Sequence, residues 1–150
     1  MEQRETTVAE VARPSVAPQT LIPFYASHPA AGFPAPGDDQ VEKILDINDL
    51  VVKNPASTFF VRVEGDSMTG AGIFSGDVLV IDRSKDAVDG SIVVAAVNGE
   101  LVVKRLRIDT SKVSDTLLLV SENEDYAPIV IGDGEECFIW GVVVGSVRQF

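Results

Sequence analysis

Histidine and cysteine are nearly absent from this chain: its 150 residues contain one of each, His28 and Cys137. A single histidine, set in a proline-rich stretch, leaves a Ser-His-Asp triad or a histidine metal site with little to build on. A single cysteine cannot form an intramolecular disulfide, and its apolar surroundings make it a core residue, as suits a reducing cytoplasm. Positive charge is also scarce. Twelve Lys and Arg against 23 Asp and Glu leave a net charge of −11 and a pI near 4.4. That balance argues against direct nucleic acid binding, because affinity for phosphate backbones comes from clustered cations. Any link to DNA is expected to run through protein partners. No run approaches the roughly 18 consecutive apolar residues of a membrane span, and Met1-Glu2-Gln3-Arg4-Glu5 lacks the basic-then-apolar order of a secretory leader. The acidic residues show no calcium-loop spacing, and no glycine loop ends in Gly-Lys-Ser or Gly-Lys-Thr, so neither metal nor cofactor is expected.

What is present is a core-forming chain, 45% hydrophobic, of a length that suggests one domain with an appended arm. Residues 1–31 read as a flexible arm: Pro14, Pro18, Pro23 and Pro29 interrupt it, and no helix fits beyond Thr6 to Val11. Its one apolar cluster is Leu21, Ile22, Phe24 and Tyr25. A helix-turn-helix does not fit there. Residues 38–54 are mixed, with a short helix expected at Asp46-Ile47-Asn48-Asp49-Leu50 and ended at Asn54-Pro55. Beyond Ala56, valine- and isoleucine-rich runs predict strands at 58–63, 77–82, 91–97, 100–108, 116–121, 129–131 and 137–147. Asn98-Gly99 should join two of them in a type I′ hairpin. The expected fold is mostly β, built of strongly bent antiparallel sheets.

Two residues stand out as chemistry. Ser67 follows a strand and sits in Gly65-Asp66-Ser67-Met68, where the glycines let backbone pack closely around a hydroxyl, as a nucleophile requires. Lys104 lies in Leu101-Val102-Val103-Lys104-Arg105-Leu106. Alternation along a strand puts it on one face with Val102 and Leu106, away from Arg105 and Arg107. Burial on an apolar face favours an uncharged amine, the form that can take a proton from serine. A second segment, Pro29-Ala30-Ala31-Gly32-Phe33-Pro34-Ala35-Pro36-Gly37, is held extended by proline and flexed by glycine, as suits a peptide lying in a narrow cleft.

Gly65-Asp66-Ser67-Met68, Gly72-Ile73, Gly76-Asp77-Val78-Leu79-Val80-Ile81-Asp82, Asp89-Gly90-Ser91-Ile92-Val93 and Val102-Val103-Lys104-Arg105-Leu106 resemble, in that order, the self-cleaving Ser-Lys peptidase family of LexA and UmuD. The separation of 37 positions from Ser67 to Lys104 matches its UmuD branch. Ala31-Gly32-Phe33-Pro34-Ala35-Pro36 resembles that branch's cleavage segment, although UmuD-like sequences often carry cysteine where Ala31 stands. Phe138-Ile139-Trp140-Gly141-Val142-Val143 resembles its last strand.

The resemblance implies a serine peptidase that cuts its own Ala31-Gly32 bond, with Ser67 as nucleophile, Lys104 as base, and backbone N–H groups of Asp66 and Ser67 facing the oxyanion. It implies an arm at 1–31 removed from a peptidase and dimerisation domain at 32–150. The implied partners are a second copy in a homodimer, a RecA filament on single-stranded DNA after damage, and a UmuC-like translesion polymerase. The replicative polymerase and sliding clamp are further candidates. A Ser-Lys peptidase acting in trans and a non-catalytic β dimerisation module are the competing readings.

Overall fold

The structure is a computed structural model and describes residues 4–14, 21–25, 41–132 and 136–150. It divides into two compact units, Met1–Pro14 with Asn54–Phe150, and Ser15–Lys53. The first carries eight antiparallel strands: β1 (Thr7–Ala12), β4 (Thr58–Glu64), β5 (Val78–Asp82), β6 (Ile92–Val97), β7 (Glu100–Asp109), β8 (Thr116–Val120), β9 (Ile129–Val130) and β10 (Cys137–Val147). The second holds a two-stranded antiparallel sheet of β2 (Ile22–Tyr25) and β3 (Val41–Leu45), followed by α1 (Ile47–Val51).

The mostly β class expected from the sequence is the one observed. Each strand anticipated beyond Ala56 is present within about a residue or two of its expected ends, the usual uncertainty of such boundaries. Asn98 and Gly99 both have positive φ, 50° and 84°, and Val97 pairs with Glu100, which is the geometry of a type I′ turn. The short helix is also where expected. The Asp46 side chain caps it by accepting from the Asn48 amide at 2.7 Å, supplying a partner to an N–H that the helix leaves free.

The N-terminal residues differ from expectation. Thr7–Ala12, where the sequence allows at most a short helix, is a strand of the large unit. Ile22–Tyr25 and Val41–Leu45 are strands too. These segments lack the dense valine and isoleucine of the later strands. What makes β1 a strand is main-chain pairing with distant partners, from Phe60 to Glu64 of β4 and Val102 of β7, and tertiary context of that kind overrides local propensity.

The order of the large sheet is β1-β4-β5-β10-β6-β7-β8-β9, and β1 pairs with β7 as well as with β4. Thr7 is opposite both Glu64 of β4 and Val102 of β7. β1 therefore closes six strands into a ring, removing two edges that would otherwise expose unpaired backbone. Alternate residues of the central strands enter two separate clusters. Val94 and Val103 join Val61, Val63, Met68, Leu79 and Ile81, while Val93, Ala95, Val102 and Leu106 join Leu119 and Val142. Both faces of β6 and β7 are thus covered, which is why these strands read as nearly continuous apolar runs.

The loop after Ser67 is fixed at two points. Met68 is fully buried in the first cluster. Asp77, also buried, accepts from Arg148 Nε and Nη2 at 2.7 Å each and from the Phe74 amide at 2.9 Å. The Arg148 donors hold the Asp77 carboxyl below its ordinary range, against the opposing effect of burial. Asp82 is lowered as well, chiefly by the Ser84 hydroxyl and then by Asn54. Their stabilisation is present above the unfolded-state carboxylate range near pH 4 and is lost as the pH falls through the folded values. Arg148→Met should accordingly raise the pH of the acid-unfolding midpoint, and an unchanged midpoint would show that this clamp carries no pH-dependent stability. Met68→Ala should lower unfolding free energy by about 2–5 kcal/mol in a denaturant titration.

Candidate active site

Ser67 lies just past the end of β4, where the chain turns through Gly65 at a φ of 108°. That conformation favours glycine, and a second constraint acts on the same position: a Cβ there would stand 2.1 Å from the carbonyl oxygen of Glu5. The approach of the N-terminal backbone therefore depends on Gly65 having no side chain. Asp66 holds the turn. Its Oδ1 accepts from the Tyr126 hydroxyl at 3.0 Å and from the Arg4 amide at 3.0 Å, and its carbonyl accepts from Asn123 Nδ2 at 3.3 Å.

Lys104 comes from the middle of β7, opposite Val93 of β6 and between Val102 and Leu106. As the alternation predicts, it is buried, with 1% of its surface exposed. An ammonium in such a place needs partners, because desolvating a charge without them is very costly. It donates to Glu5 Oε1 at 2.6 Å and to Ser121 Oγ at 2.6 Å, and the Tyr126 ring centroid lies 5.7 Å from Nζ. Burial, reinforced by the hydrogen bond to Asp66, pushes the Tyr126 phenol up to about 12, so it stays a neutral donor at physiological pH.

Ser67 is fully buried and reaches the same oxygen. Its Oγ donates to Glu5 Oε1 at 2.9 Å and accepts from the Thr6 amide at 2.9 Å. Both residues singled out in the sequence are therefore brought to one point, with the Glu5 carboxylate between them. The Asp66 amide, expected to face an oxyanion, donates to the carbonyl oxygen of Arg4 at 2.8 Å. A cavity of about 380 Å³ opens beside the turn, lined by Arg4, Gly65, Asp66, Thr69, Phe74 and Ser75. Ala31, Gly32 and His28 lie outside the described residues.

Glu5, Thr6, Ser121 and Tyr126 were not apparent as site residues from the sequence. Ser121 sits just past β8, where the Gly70 amide donates to the Glu122 carbonyl at 3.0 Å. A Cβ on Gly70 would come within 2.6 Å of that oxygen, so the approach of the two loops again requires glycine. Among the described residues no group of three or more His, Cys, Asp or Glu side chains is placed to hold a metal ion. The Thr6 hydroxyl is buried without a hydrogen-bond partner among them, an arrangement that costs about 1–3 kcal/mol.

The class defined here is a mostly β domain in which a desolvated serine and a desolvated lysine converge on one point. A model of the Peptidase S24-like family matches residues 23–144, and the chain belongs to that family. The family consists of serine peptidases and includes the self-cleaving LexA and UmuD proteins. Protein MucA of Salmonella typhimurium is 41% identical over 129 residues, which cover 85% of each chain. Protein ImpA of Escherichia coli is 38% identical over 138 residues, covering 92% of this chain and 91% of its own. The LexA repressor of Pectobacterium carotovorum subsp. carotovorum is 38% identical over 132 residues, covering 87% of this chain and 62% of the repressor. Glu5 and β1 precede the stretch that the family model matches.

Ser121→Ala leaves a buried Lys104 N–H without its hydroxyl acceptor. In a Ser67→Ala background, which removes the candidate nucleophile, it should cost about 1–3 kcal/mol of unfolding free energy. An unchanged denaturation midpoint would mean that the hydroxyl does not help hold Lys104.

Proposed function

We propose that the chain is a self-cleaving SOS-response peptidase whose Ser67-Lys104 dyad cuts its own Ala31-Gly32 bond. The observation that carries this reading is the convergence of a buried serine hydroxyl and a buried lysine amine on one oxygen, in a chain of the Peptidase S24-like family. In the working state an uncharged Lys104 takes the proton of Ser67 as Oγ attacks the carbonyl carbon of Ala31. The Asp66 and Ser67 amides stabilise the tetrahedral oxyanion. Collapse breaks the C–N bond, and Lys104 returns the proton to the leaving Gly32 nitrogen. An ester then joins Ala31 to Ser67. Water attacks it, giving a proton to Lys104 and hydroxide to the carbonyl. The tetrahedral intermediate collapses, Lys104 hands the proton to the departing Ser67 oxygen, and the Ala31 carboxylic acid is released and gives its proton to solvent.

Substrate and catalyst belong to one chain, or to two chains of one homodimer, so effective concentration is high and modest nucleophilicity suffices for a reaction needed once. Cleavage separates residues 1–31 from the domain at 32–150. The activator is a RecA filament on single-stranded DNA, which acts by favouring the conformation in which Ala31-Gly32 meets Ser67. The trimmed homodimer serves a UmuC-like translesion polymerase in the cytoplasm, with the replicative polymerase and sliding clamp as further partners. The surplus of acidic residues fits a protein that reaches DNA through these partners.

The test is intact mass over time for the purified chain, at about pH 10, where an ordinary lysine loses its proton, and near neutrality with RecA, single-stranded DNA and ATP. The wild-type chain should break between Ala31 and Gly32 under both conditions, and Ser67→Ala and Lys104→Ala should remain whole. A wild-type chain that stays intact under both conditions would leave a non-catalytic module. Turnover of added foreign protein would favour a peptidase acting in trans.

A further inference from the structure

We propose that the N-terminal strand is a built-in inhibitor of the candidate dyad, with Glu5 as its plug, and that it must leave before the peptide to be cut can enter. The inference rests on the Ser67-Lys104 reading and concerns how that site is kept idle. Glu5 Oε1 accepts from both Lys104 Nζ and Ser67 Oγ. In this state the ammonium has no lone pair to offer Ser67, and the serine proton points at a carboxylate instead of a base on Lys104. The backbone of the same segment fills the space around the hydroxyl. The Thr6 amide donates to Ser67 Oγ, the Asp66 amide donates to the Arg4 carbonyl, and the Val103 amide donates to the Thr6 carbonyl at 3.0 Å. Arg4 to Thr6 thus lies across the turn that carries Ser67 and the strand that carries Lys104. A scissile peptide attacked by Ser67 needs that same space.

Topology makes the plug removable. Among the described residues β1 is the first strand and the one that closes the ring between β4 and β7, so its departure opens a slot between the elements bearing the two residues and leaves the other strand pairings of the ring in place. The strand is also seated imperfectly. The unpartnered Thr6 hydroxyl opposes its docking, four of its six residues are exposed, and Glu5 is one-third exposed in an ion pair with a lysine that Ser121 also holds. A break after residue 31 severs the covalent tether of β1 to the domain.

The experiment compares self-cleavage rates of the full-length wild-type chain with Glu5→Gln, Glu5→Ala and Thr6→Val, by intact mass, with the RecA filament present and absent. Both Glu5 variants should be cut faster by about tenfold or more, because each raises the fraction of chains with a free dyad. Thr6→Val removes the unpartnered hydroxyl at nearly constant shape and should slow cleavage. The two changes lie side by side in the segment leading into β1 and are expected to act in opposite directions, so general loosening of the fold cannot mimic the result. Circular dichroism establishes that each variant is folded. Rates equal to wild type in the Glu5 variants would overturn the plug while leaving the dyad standing. Slower cleavage in both would make Glu5 a working part of the site. If no chain, wild type included, is cut under any condition, the peptidase reading falls and this inference falls with it.

Discussion

Everything at the candidate site follows from a lysine placed where its charge has no water. Lys104 is in the middle of a central strand, with Val102 and Leu106 beside it on the same face and Val93 opposite. An unpaired ammonium at such a position would cost far more than the few kcal/mol by which a domain of this size is stable. The fold answers with a carboxylate from before β1, a hydroxyl from just past β8, and the face of an aromatic ring from the following loop. Each partner is itself held. Gly65 admits the backbone of Glu5, Gly70 admits the carbonyl of Glu122 next to Ser121, and Asp66 ties the Tyr126 hydroxyl to the turn carrying Ser67. The glycines around the serine, which suggest close packing when read from sequence, are needed for the approach of other chain segments.

The same arrangement joins the ring of strands to the state of the site. A strand that closes a barrel normally contributes only stability, through backbone pairing and covered edges. Here the residue just ahead of that strand reaches the candidate dyad, so on the proposed reading opening the ring and freeing Ser67 are a single event. For the proposed single self-cleavage a standing active site has no use. An equilibrium between a filled and an open slot, biased by a partner, controls such a reaction by populations alone.

Much of this was legible in the sequence because it is local. Valine-rich runs, the Asn98-Gly99 turn and the short helix at Asp46-Ile47-Asn48-Asp49-Leu50 each carry their signal within a few residues, and Ser67 and Lys104 stand out as a polar residue between glycines and a charge on an apolar face. β1 was not legible. Thr7-Val8-Ala9-Glu10-Val11-Ala12 has neither the dense valine and isoleucine nor the strict alternation of a strand, and main-chain hydrogen bonds to distant strands make it one. Ser121, at the end of an anticipated strand, looks like any strand-terminal serine until Lys104 is placed beside it in space. Glu5 is one acid among many near an acidic chain's start. Its role depends on a contact spanning 99 positions, which no short window contains.

The central claim, that Ser67 attacks the carbonyl of Ala31, is tested most directly by trapping the bond it forms. A Ser67→Cys chain activated by the RecA filament should accumulate a thioester, because a thiol attacks readily and its ester can be captured by rapid acid quenching. Peptide mapping by mass spectrometry would then find Ala31 joined through its carbonyl to position 67, with a new amino terminus at Gly32. An acyl group on another residue, or a chain cut at Ala31-Gly32 that never passes through position 67 even at the shortest times, would contradict the account.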